Sequence, residues 1–225
     1  MISFKGKHFP KDIILMAVRW YCTYSLSYRE IEELMLERGV WVDHATLNRW
    51  VEEYAPLLLN EFKNKKRCVS NSWKMDETYL KVKGKWHYHY RAVDKFGKTV
   101  DFLLSKKRNK KAAILFFRKA IKTNGIPLKV NLDKNPANIA GLEAINRSLE
   151  TSGQIMIRRI KYLNNRVEQD HRFIKKITQP MKGFKSFYSA SATLKGIELC
   201  HMLRKRQFKN GSKISNFDAF YKLAA

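Results

Sequence analysis

Before residue 60, apolar residues recur at three- and four-residue steps, which is the spacing of helices with one buried face. The pattern predicts a first helix over residues 11–24. Ser27 and Glu30 form a capping-box sequence that predicts the start of a second helix. Gly39 is expected to end the second helix, and Asp43 to cap a third. We therefore predict three helices, the last two joined by a short turn.

Between residues 80 and 92 the pattern changes to alternating apolar and polar residues, which is typical of β-strands. Gly84 is placed to form a hairpin turn, and a second turn at residues 94–97 leads to a third strand. A helix, a strand, a helix, a strand and a final helix follow, the last ending before Pro180. The order βββαβαβα is that of the ribonuclease-H-like fold. The predicted class is therefore α/β (α+β), with an all-α helix-turn-helix domain in front.

The chain of 225 residues carries 45 Lys and Arg against 20 Asp and Glu, a formal net charge of +25. This surplus favours polyanions, and nucleic acid is the expected partner. No stretch approaches the roughly 20 apolar residues of a membrane-spanning helix, and no signal-peptide pattern follows the N-terminus. We expect a cytoplasmic protein without a membrane partner. Three scattered cysteines favour neither a disulfide framework nor a zinc finger.

The third helix presents His44, Asn48 and Arg49 on the face opposite its apolar stripe. Two explanations fit this pattern. The helix is the recognition helix of a helix-turn-helix, with Asn and Arg suited to base edges in the major groove, or it is part of a three-helix bundle with a solvated face. The net charge favours DNA binding. The predicted domains are a DNA-binding domain at residues 1–64, a catalytic domain at residues 65–208 and a tail at residues 209–225.

Three acidic residues fall at positions that converge in the predicted fold. Asp76 lies in the first strand, Asp133 at the end of the fourth strand, and Glu168 in the first turns of the last helix. Phosphoryl transfer to a diester uses two divalent ions about 4 Å apart, and carboxylates are the ligands that such hard ions prefer. The three residues are therefore predicted to bind two ions of Mg²⁺ (or Mn²⁺).

Other polar residues of this region are expected to be uninvolved. Glu77 should point to the opposite side of its strand, Asp94 is expected in a turn, and Asp170 lies about 200° around its helix from Glu168. His87 and His89 share a strand face that is expected to be solvated.

The chain resembles the DDE transposases of bacterial insertion sequences, in particular the compact group that moves replicatively through cointegrates. The resemblance covers nearly the whole chain, including the helix-turn-helix. The segments that carry it are WKMDETY (73–79), YRAVDK (90–95), LDK (132–134), NNRVEQDH (164–171), MKGFKSF (181–187) and GIEL (196–199).

This resemblance implies that Asp76, Asp133 and Glu168 are the catalytic triad. It also implies that Lys175, on the same helix face as Glu168, contacts the DNA end. The residues alone leave a solvated lysine as the alternative for Lys175. The segment after Asp133 departs modestly from the family pattern.

The implied function is that of an insertion-sequence transposase, which binds terminal inverted repeats and catalyses metal-dependent strand cleavage and strand transfer into target DNA. Its expected partner is double-stranded DNA, and the joining of two ends implies a homodimer or larger assembly in the bacterial nucleoid. A non-catalytic DNA-binding regulator and a structure-selective nuclease are the alternatives. Further expected phosphate contacts are Arg172, Lys175, Arg204, Lys205 and Arg206.

Overall fold

The computed structural model describes residues 2–150, 153–209 and 214–225. The chain divides into two compact units. The helical unit consists of Met1–Arg67 and Ile174–Ala225, and the sheet unit is Cys68–Phe173. In chain order, the elements are α1 (Lys11–Thr23), α2 (Tyr28–Leu36), α3 (His44–Asn64), β1 (Ser72–Val82), β2 (Lys85–Asp94), β3 (Thr99–Ser105), α4 (Lys110–Asn124), β4 (Lys129–Asn131), α5 (Pro136–Asn146), β5 (Met156–Arg158), α6 (Asn165–Thr178), α7 (Phe187–Arg204) and α8 (Asn216–Tyr221).

The starts of the N-terminal helices follow the predicted caps. The Ser27 hydroxyl accepts a hydrogen bond from the backbone N–H of Glu30, whose carboxylate accepts one from the Ser27 N–H. Asp43 accepts from the N–H groups of Ala45 and Thr46 and begins α3. Each cap satisfies backbone donors that the first helical turn leaves free. The three predicted helices are confirmed.

The C-terminal helices belong to the helical unit, which differs from the predicted domain bounds. Helix α7 packs against α3 and α1, and α8 packs against α7. The last segment is thus more than a tail, since Phe220 of α8 is buried. The physical reason is that the apolar faces of α1 and α3 need a covering partner, which α7 supplies from far along the chain.

Gly196 allows α7 to approach its neighbours closely. A Cβ atom at this position would lie 2.3 Å from Sγ of Cys22 and 3.0 Å from Cβ of Ala55. We expect Gly196→Ala to lower the free energy of unfolding by about 1–3 kcal/mol because the added methyl group overpacks this contact. Urea denaturation would measure the loss. In the control Gly153→Ala, a Cβ atom would have no neighbour within 4 Å, and an equal loss there would contradict the packing argument.

The sheet unit is built on five strands in the order β3-β2-β1-β4-β5. Strands β1, β2 and β3 are antiparallel neighbours, whereas β4 runs parallel to β1 and β5 parallel to β4. Lys83 and Gly84 both have positive φ, as a two-residue hairpin turn between β1 and β2 requires. The element order confirms the predicted ribonuclease-H-like fold, and a 3₁₀ turn at Lys161–Asn164 precedes α6.

An apolar cluster holds helices α4 and α5 in the sheet unit. It includes Trp73 and Met75 of β1, Tyr90 of β2 and Phe116 of α4. The prediction of a solvated face on β2 is wrong, since His87 and His89 are both buried. Arg91 lies on the same face of β2 two residues after His89 and pairs with Asp170 of α6, so a helix packs against this face.

No helix within the described residues is sufficiently long and apolar to cross a membrane.

Candidate active site

Asp76, Asp133 and Glu168 line one cavity of about 410 Å³ in the sheet unit. The parallel register of β1 and β4 explains the meeting of the two aspartates. Lys74 pairs with Asn131, and each aspartate follows its paired residue by two positions. Glu168 reaches the cavity from the first turn of α6. The remaining lining residues are Leu132, Lys134, Arg159 and Asn164.

A buried ion pair attaches α6 to the sheet. Arg91, which lies opposite Asp76 on β2, is fully buried, and its guanidinium donates to Asp170 at 2.8 Å. Nδ1 of His171 lies 3.7 Å from Oδ2 of Asp76. Asp170 was expected to be uninvolved because it faces away from Glu168. Its position on that other side is what allows it to hold the helix while Glu168 lines the cavity.

The cavity concentrates negative charge around Asp76. Burial raises the pKa of Asp76 from its ordinary value of 3.8 to about 7, with further increases from the carboxylates of Glu77, Asp133 and Glu168. A hydrogen bond from the Glu77 backbone partly opposes this rise. Carboxylates that crowd together in a partly buried site favour either a shared proton or a bound cation. The site is therefore suited to a divalent metal ion.

Glu77 belongs to the same cluster, and the expectation that it points away is wrong. Asp76, Glu77 and Asp133 each offer a carboxylate oxygen, and these oxygens lie within 4.8 Å of one another. Strand β4 ends at Asn131, opposite Lys74. Asn135, in the loop after β4, donates to Glu77 at 2.9 Å, so the side chain of Glu77 lies against the loop that carries Asp133. The alternation of side chains along β1 assigned Glu77 to a face of the sheet, but it did not show where the neighbouring strand β4 ends.

Arg108 connects this fourth carboxylate to the cavity and was not expected from the sequence. Its Nε lies 3.0 Å from Oε1 of Glu77, and its Nη2 lies 3.4 Å from Oδ2 of Asp133. It comes from the loop between β3 and α4, where four lysines and one asparagine surround it at residues 106–111 and give no distinguishing pattern. Hydrogen bonding to Glu77 and the nearby carboxylates raise the pKa of Arg108, so the guanidinium stays charged.

Two asparagines fix the loop that carries Asp133. Oδ1 of Asp133 accepts from the backbone N–H of Asn135 at 3.2 Å and from the amide of Asn138 at 3.4 Å. Asn135 also donates to Glu77 at 2.9 Å and caps α5. The segment that departs from the family pattern therefore orients an acidic residue of the cavity.

The expected DNA contacts occupy several surfaces. In the helical unit, His44 and Asn48 line a cavity of about 740 Å³. Nδ1 of His44 lies 3.0 Å from Glu32, and Arg49 donates to Thr46 at 2.8 Å.

The other expected contacts lie on and after the late helices. Arg172 and Lys175 are exposed on α6, and Arg204 is exposed at the end of α7. Lys205 caps α7, and Arg206 donates to the carbonyl of Ile214 at 2.7 Å. The contact of these residues with DNA stays a prediction.

Comparison with known proteins identifies the family. A profile of the DDE domain matches residues 70–207, which include Asp76, Asp133 and Glu168. The transposase of the insertion-sequence-like element IS431mec from Staphylococcus aureus is 43% identical over 206 residues, 92% of this chain and 90% of that one. This chain is a DDE transposase of an insertion sequence. The transposase is also 42% identical to that of IS257 in transposon Tn4003 of Staphylococcus aureus, with the same coverage of both chains.

Among solved structures, the transposase is similar to the HTLV-2 integrase catalytic core domain. The two chains are 22% identical, the match covers 69% of the transposase and 99% of the integrase domain, and the TM-score is 0.46. The family membership confirms the resemblance found in the sequence.

Proposed function

We propose that this transposase cuts and joins DNA at the ends of its element, with Asp76, Asp133 and Glu168 as its catalytic, metal-binding residues. The convergence of these three carboxylates on one cavity supports the proposal. They come from a strand, a loop after a neighbouring strand and a helix, and only the tertiary fold brings them together.

The residues of the cavity fit a divalent metal. Carboxylate oxygens are the ligands that Mg²⁺ and Mn²⁺ prefer, and two such ions about 4 Å apart serve phosphodiester chemistry. The raised pKa of Asp76 shows that the site disfavours its own negative charge. A bound cation removes that repulsion, so the proposed site holds two ions of Mg²⁺ or Mn²⁺.

In the proposed reaction, water first hydrolyses one strand at each element end and frees a 3′-hydroxyl. This hydroxyl then attacks a target phosphodiester in line. When bound, the metal activates the attacking oxygen and stabilises the leaving oxygen. Asp76, Asp133 and Glu168 hold it, and Lys134 and Arg159 line the same cavity with positive charge for the phosphate.

DNA binding is proposed to use the basic surface of the whole chain, whose net charge is +25. His44, Asn48 and Arg49 would read the terminal inverted repeats from α3. Two ends must be held together for joining, so a homodimer or larger assembly in the bacterial cytoplasm, at the nucleoid, completes the proposal. The residues proposed to hold backbone phosphates are Arg172, Lys175, Arg204, Lys205 and Arg206.

Strand transfer by the purified full chain tests the proposal. The reaction would contain Mg²⁺, labelled DNA with the ends of the element, and a target plasmid, and joined product is expected. End binding without cleavage in Mg²⁺ or Mn²⁺ would identify a non-catalytic regulator. Cleavage without joining, and without preference for the element ends, would identify a nuclease.

Metal binding is expected to depend on pH through Asp76. Because the folded-state pKa is about 7, a metal ion must displace a proton from this carboxyl group at lower pH. The apparent affinity for Mg²⁺ should therefore fall about tenfold per pH unit below 7 and level off above it. Mg²⁺-induced thermal stabilisation, measured from pH 5 to 9, would show this dependence.

The metal-free protein should show the opposite trend. A carboxyl group with a raised folded-state pKa stabilises the fold while it is protonated, and this contribution is lost as the pH rises from about 4 to about 7. Asp76→Asn should lack this part of the pH dependence. An unchanged profile in the Asn variant would contradict the assignment to Asp76.

A further inference from the structure

Arg108 is shared between two carboxylates in different surroundings. The side chain of Glu77 has no exposed surface, whereas that of Asp133 is 34% exposed and lines the cavity. The contact of Arg108 with Glu77 is 3.0 Å, and its contact with Asp133 is 3.4 Å. Charge-assisted hydrogen bonds are usually about 2.7–2.9 Å long, so the contact with Asp133 is the weaker of the two.

The burial of Glu77 explains why it retains Arg108. Oε1 of Glu77 accepts from Arg108 and from Asn135, while Oε2 is buried without a hydrogen-bond partner. A buried carboxylate is costly unless a positive charge compensates it. Asp133 has solvent and two asparagine donors and depends less on the guanidinium. Of its two carboxylate partners, Arg108 therefore pairs more strongly with Glu77 than with Asp133.

We propose that Glu77 is a positioning residue that draws Arg108 away from Asp133 and so leaves Asp133 free to bind a divalent ion. This inference rests on the proposed function, in which Asp133 is a metal ligand. Arg108 then opposes metal binding by its charge, and Glu77 limits that effect. The pair adjusts the metal affinity of the site without itself supplying a ligand.

Two single substitutions should therefore change metal affinity in opposite directions. In Glu77→Gln, Arg108 loses its charged buried partner and turns to Asp133, so the dissociation constant for Mn²⁺ should rise about tenfold. In Arg108→Gln, the competing cation is gone, and the dissociation constant should fall several-fold, to roughly a fifth of the wild-type value.

The double substitution Glu77→Gln with Arg108→Gln provides the decisive comparison. It removes both charges, leaves amides that can hydrogen-bond with Asn135, and avoids an uncompensated buried carboxylate. Its dissociation constant should stay close to that of Arg108→Gln, about a fifth of the wild-type value, because Glu77 has no guanidinium to draw away once Arg108 is replaced. Two charges that act independently would instead give a value about twofold above that of the wild type. A role in folding alone predicts weaker binding in all three variants.

The test is calorimetric titration of Mn²⁺ into the full-length wild type and these three variants, with circular dichroism to verify folding. Lys107→Gln is the matched control, since it removes one charge from an exposed neighbour on the same loop. The heat of Mn²⁺ binding that is lost in Asp133→Asn is the heat of binding at the cavity. If Arg108→Gln does not fold, Glu77→Gln and the double variant still decide the question.

The outcomes separate this inference from the proposed function. Opposite shifts in the single variants, a double variant that binds Mn²⁺ as tightly as Arg108→Gln, and no shift in Lys107→Gln support the positioning role. Shifts in the same direction, or a double variant with a dissociation constant at or above the wild-type value, overturn it and leave the metal site in place. If Asp133→Asn leaves the Mn²⁺ isotherm of the wild type unchanged, the proposed metal site is wrong and this inference fails with it.

Discussion

Replacing Asp76 with Asn, Asp133 with Asn or Glu168 with Gln is expected to reduce strand cleavage at least about 10³-fold, because bound metal contributes several kcal/mol to the transition state. Each substitution keeps the size of the side chain and removes a charge. Burial and the neighbouring carboxylates disfavour the charge of Asp76, so Asp76→Asn should not lose stability in the absence of metal. The substitutions should lower the rate of strand cleavage.

The measurement is the rate of cleavage of labelled element ends in Mg²⁺, with end binding followed by mobility shift. Glu150→Gln is the control, since Glu150 is an exposed acid of the sheet unit that does not line the cavity. End binding should persist in all variants. Cleavage that survives all three substitutions would show that the active site lies elsewhere.

Asp170→Asn is expected to destabilise the sheet unit by about 3 kcal/mol, because it removes the negative charge that Asp170 places beside the buried guanidinium of Arg91. For a chain of this size, the loss corresponds to a decrease in melting temperature of roughly 6–12 °C. Cleavage should also decrease, since Glu168 is carried by the helix that this pair attaches to the sheet. Differential scanning calorimetry in the absence of metal would measure the effect.

A double substitution separates the effect of the Arg91–Asp170 charges on stability from the effect of their packing. Arg91→Met with Asp170→Leu replaces both members of the pair with apolar side chains and should recover most of the lost stability. Gln169→Asn, at an exposed neighbouring position on α6, is the control and should have almost no effect. A loss in Gln169→Asn equal to that in Asp170→Asn would show that α6 is sensitive to any change.

The predictable parts of this molecule are those determined by local pattern. Period 3.6 and the caps at Ser27 and Asp43 predicted the N-terminal helices, and period 2 with Gly84 predicted the hairpin. The placement of acids on the predicted element order was sufficient to select Asp76, Asp133 and Glu168, which the fold brings to one cavity. The assignment of a residue to an element requires little tertiary information.

The remaining features depend on contacts between distant segments. The sequence did not show that α7 covers α1 and α3, because an apolar helix does not specify which partner it packs against. Strand β4 has only three residues, because its pairing with β1 stops at Asn131 while the apolar run continues to Leu132. Glu77, Arg108 and Asp170 were missed for the same reason. Their roles come from partners that are 25 to 79 residues away along the chain.

The parallel pairing of β1 with β4 has a consequence for folding. Strands β1 to β3 form consecutive antiparallel hairpins, which close short loops, whereas β4 reaches β1 only after β3 and α4 have been passed. Pairing over such a long separation has a larger entropic cost and forms slowly. Asp76 and Asp133 therefore come together late in folding. A metal ion held by both, as proposed, would stabilise only the completed fold, so metal binding would report that the chain has finished folding.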